Sequence, residues 1–199
     1  MSRRTAITML VVIAVLAVGV FYLRSLARRI FVESRPKGEQ EAHAQLSAAA
    51  LQSPSGSNHT VVLYFPSYAT GTLMGESRQI AWASNDIDRI RQVILGLIEG
   101  SRNGSNRVIA PSSNIRAVFF APDGTACIDF SSEALSDFER GIESETLAVY
   151  SIVDSVAANV PTVKRLKILI QGQEADTLDG HIDLTGLFVP DATRISGNP

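Results

Sequence analysis

Residues 6–23, AITMLVVIAVLAVGVFYL, constrain this chain more than any other stretch. They are eighteen consecutive residues without a charge, with Thr8 as a weakly polar member. As a helix the run extends about 27 Å, enough to cross a thin hydrocarbon core. Arg3 and Arg4 precede it, and Arg24, Arg28 and Arg29 follow. A helix buried in a soluble core has little use for arginines at both ends, so the run predicts one membrane anchor within residues 1–29. The rival reading is a cleaved signal peptide, for which Ser25-Leu26-Ala27 supplies small residues. Against it, the apolar run exceeds the usual signal core, and Arg24 abuts the cleavage position. Counting cations at the two ends favours a cytoplasmic C-terminal part. The signal-like character of the first thirty residues favours export, and export is the orientation adopted: an inner-membrane, single-pass protein whose C-terminal domain is extracytoplasmic or periplasmic.

Residues 30–58 read as a flexible stalk. Leu46 and Leu51 are the large apolar residues of its central stretch, and Pro54-Ser-Gly-Ser breaks any helix that starts there. About 140 residues then remain, a length that suits one domain with a moderate core. From Asn58 onward the chain carries 11 Lys and Arg against 17 Asp and Glu, a balance of −6. That balance argues against nucleic acid, whose binding requires cations to replace phosphate counterions. Cys127 is the single cysteine, so no intramolecular disulfide can form, and no cysteine lies beside the anchor for a lipid.

The patterned region runs over residues 59–189. TVVLYF at 60–65 reads as a strand that Pro66 stops, SYATGTLMGES as a long turn or hairpin, and 78–83 as a second strand with Ile80 and Trp82 on one face. A helix follows over 86–99. Asn85 is its N-cap, Asp86 and Asp88 sit at its positive end, and Gly100 lies past its last turn. Ile87, Ile90, Val93, Ile94, Leu97 and Ile98 form its apolar face. IRAVFF and TACIDF make a hairpin around APDG, with Ala126, Ile128 and Phe130 facing one way and Cys127 and Asp129 the other. A polar connector over 131–142 leads to a second helix from about Glu145 to Asn159, capped by Ser144. Val149, Ile152, Val153 and Val156 are its core stripe, with Leu147 and Tyr150 at the margins. Pro161 ends it. VKRLKILI adds a strand with Leu166, Ile168 and Ile170 inward, and residues 180–184 a short tail strand. Phe188 and Val189 tuck against the core, and residues 190–199 form a loose tail. The order predicts an α/β two-layer sandwich: one mixed β-sheet with two helices on one face, behind the transmembrane helix. Each half has two strands and a helix, which suggests a pseudo-repeat.

Candidate sites are few. His43, His59 and His181 have no zinc-like spacing, and the glycines form neither a phosphate loop nor a dinucleotide fingerprint. Asp123 is explained by chain reversal. Asp129, followed by Ser131 and Ser132, reads as a local cap before it reads as a ligand. His181 and Asp183 lie two apart on an extended segment, face the same side and can make a polar contact that pins the tail. Cys127 reads as a half-buried packing residue, since no histidine stands at a spacing that would activate it. The residues therefore predict no catalytic, cofactor-binding or metal-binding set, and no enzyme. The alternative is recognition or hydrolysis of cell-wall polymer by the acidic domain, and hydrolysis requires two facing carboxylates in a groove. A small-molecule sensor requires an apolar pocket that no residue announces.

Five stretches carry a resemblance: VVLYFP at 61–66, DIDRIRQVILGLIEG at 86–100, DGTACIDFS at 123–131, LAVYSIVDSVAANVPTVKRLKILIQGQ at 147–173, and TLDGHIDLTG at 177–186. In register, they resemble the GerM-type family of bacterial sporulation and spore-germination proteins. The resemblance implies an extracytoplasmic, membrane-attached envelope domain, related in architecture to small ring-building modules and without enzymatic residues. It implies partners among envelope or inner-membrane proteins, or a second copy, in a role tied to sporulation or germination. No motif points to peptidoglycan. Two features depart from the family pattern: one such domain where some relatives have two, and a spanning segment in place of a lipid cysteine. The strands add one expectation. Val61, Leu63 and Phe65 alternate with Val62 and Tyr64, and Phe119 adjoins Phe120, so these strands send large apolar side chains to both faces.

Overall fold

A computed structural model describes residues 58–135, 141–177 and 180–197. The anchor and nearly all of the stalk fall at residues 1–57, outside the described residues. Among the described residues, no helix is long and apolar enough to cross a membrane.

The first two strands, β1 (Asn58–Ser67) and β2 (Thr72–Ala81), form an antiparallel hairpin that pairs Val61 with Arg78, Leu63 with Glu76 and Phe65 with Met74. Of the two readings for SYATGTLMGES, the hairpin is the one found: its turn is residues 68–71, and β2 starts six residues before the predicted position. Two local signals misled the sequence reading. Pro66 does not stop β1, because the proline falls at an outward-pointing position where no N–H is needed for the ladder; its carbonyl accepts from Asn106 N instead. Gly75 is a strand residue, not a turn residue. The Tyr64 ring lies over it so closely that a Cβ would sit 3.3 Å from the ring.

Helix α1 (Asp86–Glu99) has the predicted limits and caps. The Asn85 side chain accepts from Asp88 N, and Ile90, Val93, Ile94 and Leu97 are buried. Ile87, placed on the apolar face, is 39% exposed, because the first turn overhangs the core. No basic residue occupies the last turn. Its carbonyls are instead met from elsewhere: Arg78 donates to Gly96 O and Gly100 O, and Arg107 to Ile98 O and Glu99 O. These cations complement the negative end of the helix. Gly100 adopts φ +85, and a Cβ there would stand 2.7 Å from the Arg107 guanidinium.

Strands β3 (Ile115–Phe120) and β4 (Thr125–Phe130) form the predicted hairpin. β5 (Arg165–Ile170) adds to β4 in parallel, aligning Ala126 with Leu166 and Ile128 with Ile168. Ala126, Ile128, Phe130, Leu166 and Ile168 are fully buried against residues of both helices, while Ile170 is half-buried. Burial of each large side chain here contributes roughly 1.5–3 kcal/mol. The expected single sheet is in fact two: β1-β2, and β3-β4-β5. The reason is helix α2 (Ile142–Asn159), which lies along the free edge of β1. Ser151 donates to Tyr64 O, Ser155 accepts from Tyr64 N, and Asn159 both donates to and accepts from Val62. Three side chains spaced i, i+4, i+8 thus occupy the place of a neighbouring strand.

α2 differs from expectation in two further ways. It starts three residues early, at a Gly141 cap with no side-chain hydrogen bond, so Ser144 is a buried residue of the first turn. Residues 151–156 are all buried, so this stretch has no solvent face where a single stripe was predicted. A 3-10 turn, Ser132–Leu135, begins the connector before it.

The C-terminal expectations need two corrections. Residues 180–184 are not a strand; they form a turn that buries Leu184, while Phe188 pairs with Leu166 through two backbone bonds of 2.9 and 2.8 Å. The tail is also fastened where looseness was predicted. Asp191 caps the 3-10 turn Ala192–Arg194 and donates its N–H to Asp154 Oδ1 at 2.8 Å. Ile195 pairs in parallel with Leu73, and Ser196 N donates to Leu73 O.

Candidate functional site

Of the polar residues singled out from the sequence, His43 lies outside the described residues, His59 stacks on Trp82, and Asp123, Asp129, Ser131, His181 and Asp183 are engaged within the fold. Asp123 accepts from Thr125 N at 3.0 Å and Arg165 Nη2 at 2.8 Å. The Thr125 hydrogen bonds, followed by the Arg165 charge, hold its carboxyl below the usual range. Asp129 is not a local cap. Its two oxygens accept from Gly172 N at 2.7 Å and Arg116 Nε at 3.0 Å, tying β3 to the turn after β5. Ser131 serves a different partner, accepting from Asn114 N. Cys127 is half-buried on the outer face of β4, between Phe119 and Lys167. Burial and the charge of Asp129 push its thiol up, which disfavours the reactive thiolate.

His181 and Asp183 are sent to different partners. Asp183 accepts from the Thr185 N–H and hydroxyl, and these bonds lower its pKa. His181 Nδ1 lies 3.0 Å from Glu145 Oε2, which also accepts from His181 N, while Oε1 accepts from Ile182 N at 3.1 Å. Glu145 is fully buried and was missed as a structural centre. The signal was present: it precedes Val149, Ile152 and Val156 by four, seven and eleven residues, so it occupies the core stripe of α2.

Two other buried carboxylates were missed. Glu76 on β2 receives Arg78 Nε at 2.8 Å on one oxygen, and Ser101 Oγ and Arg102 N, each at 2.9 Å, on the other. Burial alone would raise its pKa, but these donors and the Arg78 charge outweigh burial and lower it. Glu76 thereby fixes the loop after α1. Asp154 has the opposite balance. Burial, reinforced by the Asp191 charge, outweighs the Asp191 N–H and Arg194 and raises it to about 6; Oδ2 has no hydrogen-bond partner among the described residues.

What the fold leaves outward is backbone and apolar surface. Because Val61, Leu63 and Phe65 exchange bonds with β2 while Val62 and Tyr64 turn to α2, alternation directs Gly75, Ser77 and Gln79 away from β1. All three are exposed, and their N–H and C=O groups lack partners among the described residues. The strands also send apolar side chains outward, as expected for β3, where Phe119 is 60% exposed, and at Met74 of β2, 42% exposed. In β1, Val62 and Tyr64 are half-buried.

Fold and surface together define a small two-sheet α/β domain whose buried carboxylates fasten its own loops. Residues 62–176 match the Germane model, described as sporulation and spore germination, and the chain belongs to that family. The family resemblance is thereby borne out; the match takes in the stretches from Val62 of VVLYFP through residue 173, and the fifth, at 177–186, lies beyond it. No curated protein matches the chain. Among solved structures, the first GerMN domain of the sporulation protein GerM from Bacillus subtilis superposes with a TM-score of 0.50 at 19% identity, covering 70% of this chain and 98% of that one. The tandem GerMN domains of the same protein give 0.49 at 20% identity, covering 65% and 45%, so this chain spans under half of the tandem. A Clostridium perfringens protein described as a lipoprotein gives 0.47 at 19% identity, covering 71% and 95%. At these identities the likeness concerns the fold.

Proposed function

We propose that this chain is a non-enzymatic envelope module, held by a helix over residues 6–23 and spaced by the stalk. Its domain, within residues 59–189, lies on the outer side of the cytoplasmic membrane. There it assembles with, or docks onto, other envelope proteins in a role related to sporulation or germination, without a small-molecule cofactor. Family membership supports the biological context, and the arginine-flanked apolar run supports the attachment. The observation that carries the reading is the division of labour in the domain. Asp123, Asp129, Glu76 and Glu145 are committed to internal donors, while β2 offers open backbone groups and Met74 and Phe119 offer apolar surface. Such a surface suits protein partners. Confinement to one membrane plane raises effective concentration and makes weak contacts sufficient.

The test is crosslinking of the full-length chain in intact membranes, followed by identification of the adducts. The proposal predicts discrete adducts with itself or with envelope proteins. Recovery only as an uncrosslinked monomer contradicts it.

A further inference from the structure

We infer that β2 is a self-pairing edge: two copies of this chain join β2 to β2 antiparallel about a twofold axis through Ser77. The inference rests on the assembly reading above and specifies its partner and surface.

Parity comes first. An antiparallel ladder forms only when outward-pointing residues of one strand face outward-pointing residues of the other. With Ser77 on the axis, Gly75 faces Gln79 of the second copy, Ser77 faces Ser77, and Gln79 faces Gly75. All are outward positions in the β1-β2 register. Each such pair exchanges two bonds, so three pairs satisfy every open backbone group of this stretch. The carbonyls on either side of the stretch already have partners: Leu73 O accepts from Ser196 N, and Ala81 O accepts from Gln92 Nε2. The tail and α1 therefore delimit the open edge to the length that this pairing uses.

Side-chain pattern agrees with parity. The same axis sets Glu76 opposite Arg78 twice and Met74 opposite Ile80 twice. Glu76 and Arg78 are buried and held by partners in their own chain, so no exposed like charges are opposed, and Met74 meets Ile80. Ser77 and Gln79 are exposed and neutral, and residues 72–81 contain neither lysine nor proline, the residues that commonly block strand edges. The joined edges make a four-stranded sheet, β1-β2-β2-β1, in which α2 covers both outer edges through Ser151, Ser155 and Asn159. Such an assembly closes at two copies.

The full-length chain carrying Cys127→Ser and Ser77→Cys, reconstituted in phosphatidylcholine vesicles, tests the axis. Facing residues in such a ladder have Cα atoms about 5.5 Å apart, within disulfide range. Mild oxidation is expected to give a covalent dimer at least tenfold faster than Cys placed at exposed Asn58 or Thr70. Two variants add independent readings. Ser77→Pro removes an outward N–H, and Ser77→Arg sets two cations on the axis without adding a reactive amine. Each is expected to reduce crosslinking by an amine-reactive reagent at least tenfold. A thermal transition by circular dichroism shows that each monomer remains folded, and Ser77→Arg changes only an exposed side chain. Adducts that persist undiminished in both folded variants overturn the β2 axis while leaving assembly intact. Absence of any adduct in the parent chain overturns both. Coupling of Ser77→Cys to a different protein in cell membranes, with no homodimer, overturns the second copy as occupant.

Discussion

Asn159 and Val62 form a reciprocal pair. Asn159 Oδ1 accepts from Val62 N at 2.9 Å, and Nδ2 donates to Val62 O at 2.6 Å. A carboxamide carries one acceptor and two donors in nearly the geometry of a peptide group. At the last residue of α2 it therefore stands in for the backbone of a strand that β1 lacks. Ser155 and Ser151 do the same for Tyr64 N and O one and two turns earlier. The helix is both a core element and a seal on a sheet edge.

This arrangement sets the first prediction. Asn159→Leu keeps the branching at Cγ but leaves both Val62 groups without partners, at a cost of about 1–3 kcal/mol. Urea unfolding should show a lower midpoint with an unchanged slope. An unchanged midpoint shows that the pair does not seal the edge.

Glu145 gives the second. Its carboxylate gathers His181 N, His181 Nδ1 and Ile182 N. Glu145→Ala strands these donors and should cost about 2–4 kcal/mol. In amide hydrogen exchange, protection should fall at His181 and Ile182 well before it falls in β4. Uniform loss across the domain contradicts a local anchoring role.

Asp154 and Glu76 pull the pH profile in opposite directions. The folded pKa of Asp154, about 6, lies above its ordinary 3.8, so the folded state holds the proton more tightly. Its contribution is complete below about 3.8 and is lost as pH rises through about 6. Glu76 is lowered from 4.5, so its contribution is complete above 4.5 and is lost as pH falls through the lowered value. Asp154→Asn should therefore stabilise the domain at pH 7.5 by about 1–2 kcal/mol, with the gain disappearing near pH 4. Glu76→Gln should destabilise it at pH 7.5 by about 1–3 kcal/mol, with the gap narrowing in acid. Urea titrations at four pH values read both, and parallel stability curves for variant and parent contradict the assignment.

The fold was legible where local chemistry decides it. Asn85, Asp86, Asp88 and Gly100 bound α1 as the sequence predicted, and APDG between two alternating strands located the β3–β4 hairpin. It was not legible where distant residues decide. Gly75 read as a turn residue because the Tyr64 ring that covers it comes from the neighbouring strand. The start of α2 was misplaced because Ser144 has the chemistry of a cap, whereas Gly141 caps through the backbone alone. The tail read as loose because its anchors, Asp154 and Leu73, are 37 and 122 residues away from their partners Asp191 and Ile195. For the candidate surface, Asp129 and His181 were rightly noticed as polar residues with work to do. Their partners Gly172 and Glu145 depend on topology. The open edge of β2 is a property of pairing, which composition cannot display.

The most direct measurement of the account uses the Cys127→Ser, Ser77→Cys chain at full length in intact cells, with any outer membrane permeabilised. A bifunctional maleimide that cannot cross the cytoplasmic membrane reads exposure, topology and pairing together. The account predicts modification without lysis and a covalent adduct of two copies. Modification that appears only after the cytoplasmic membrane is opened contradicts the placement of the domain, and modification without any adduct contradicts its assembly.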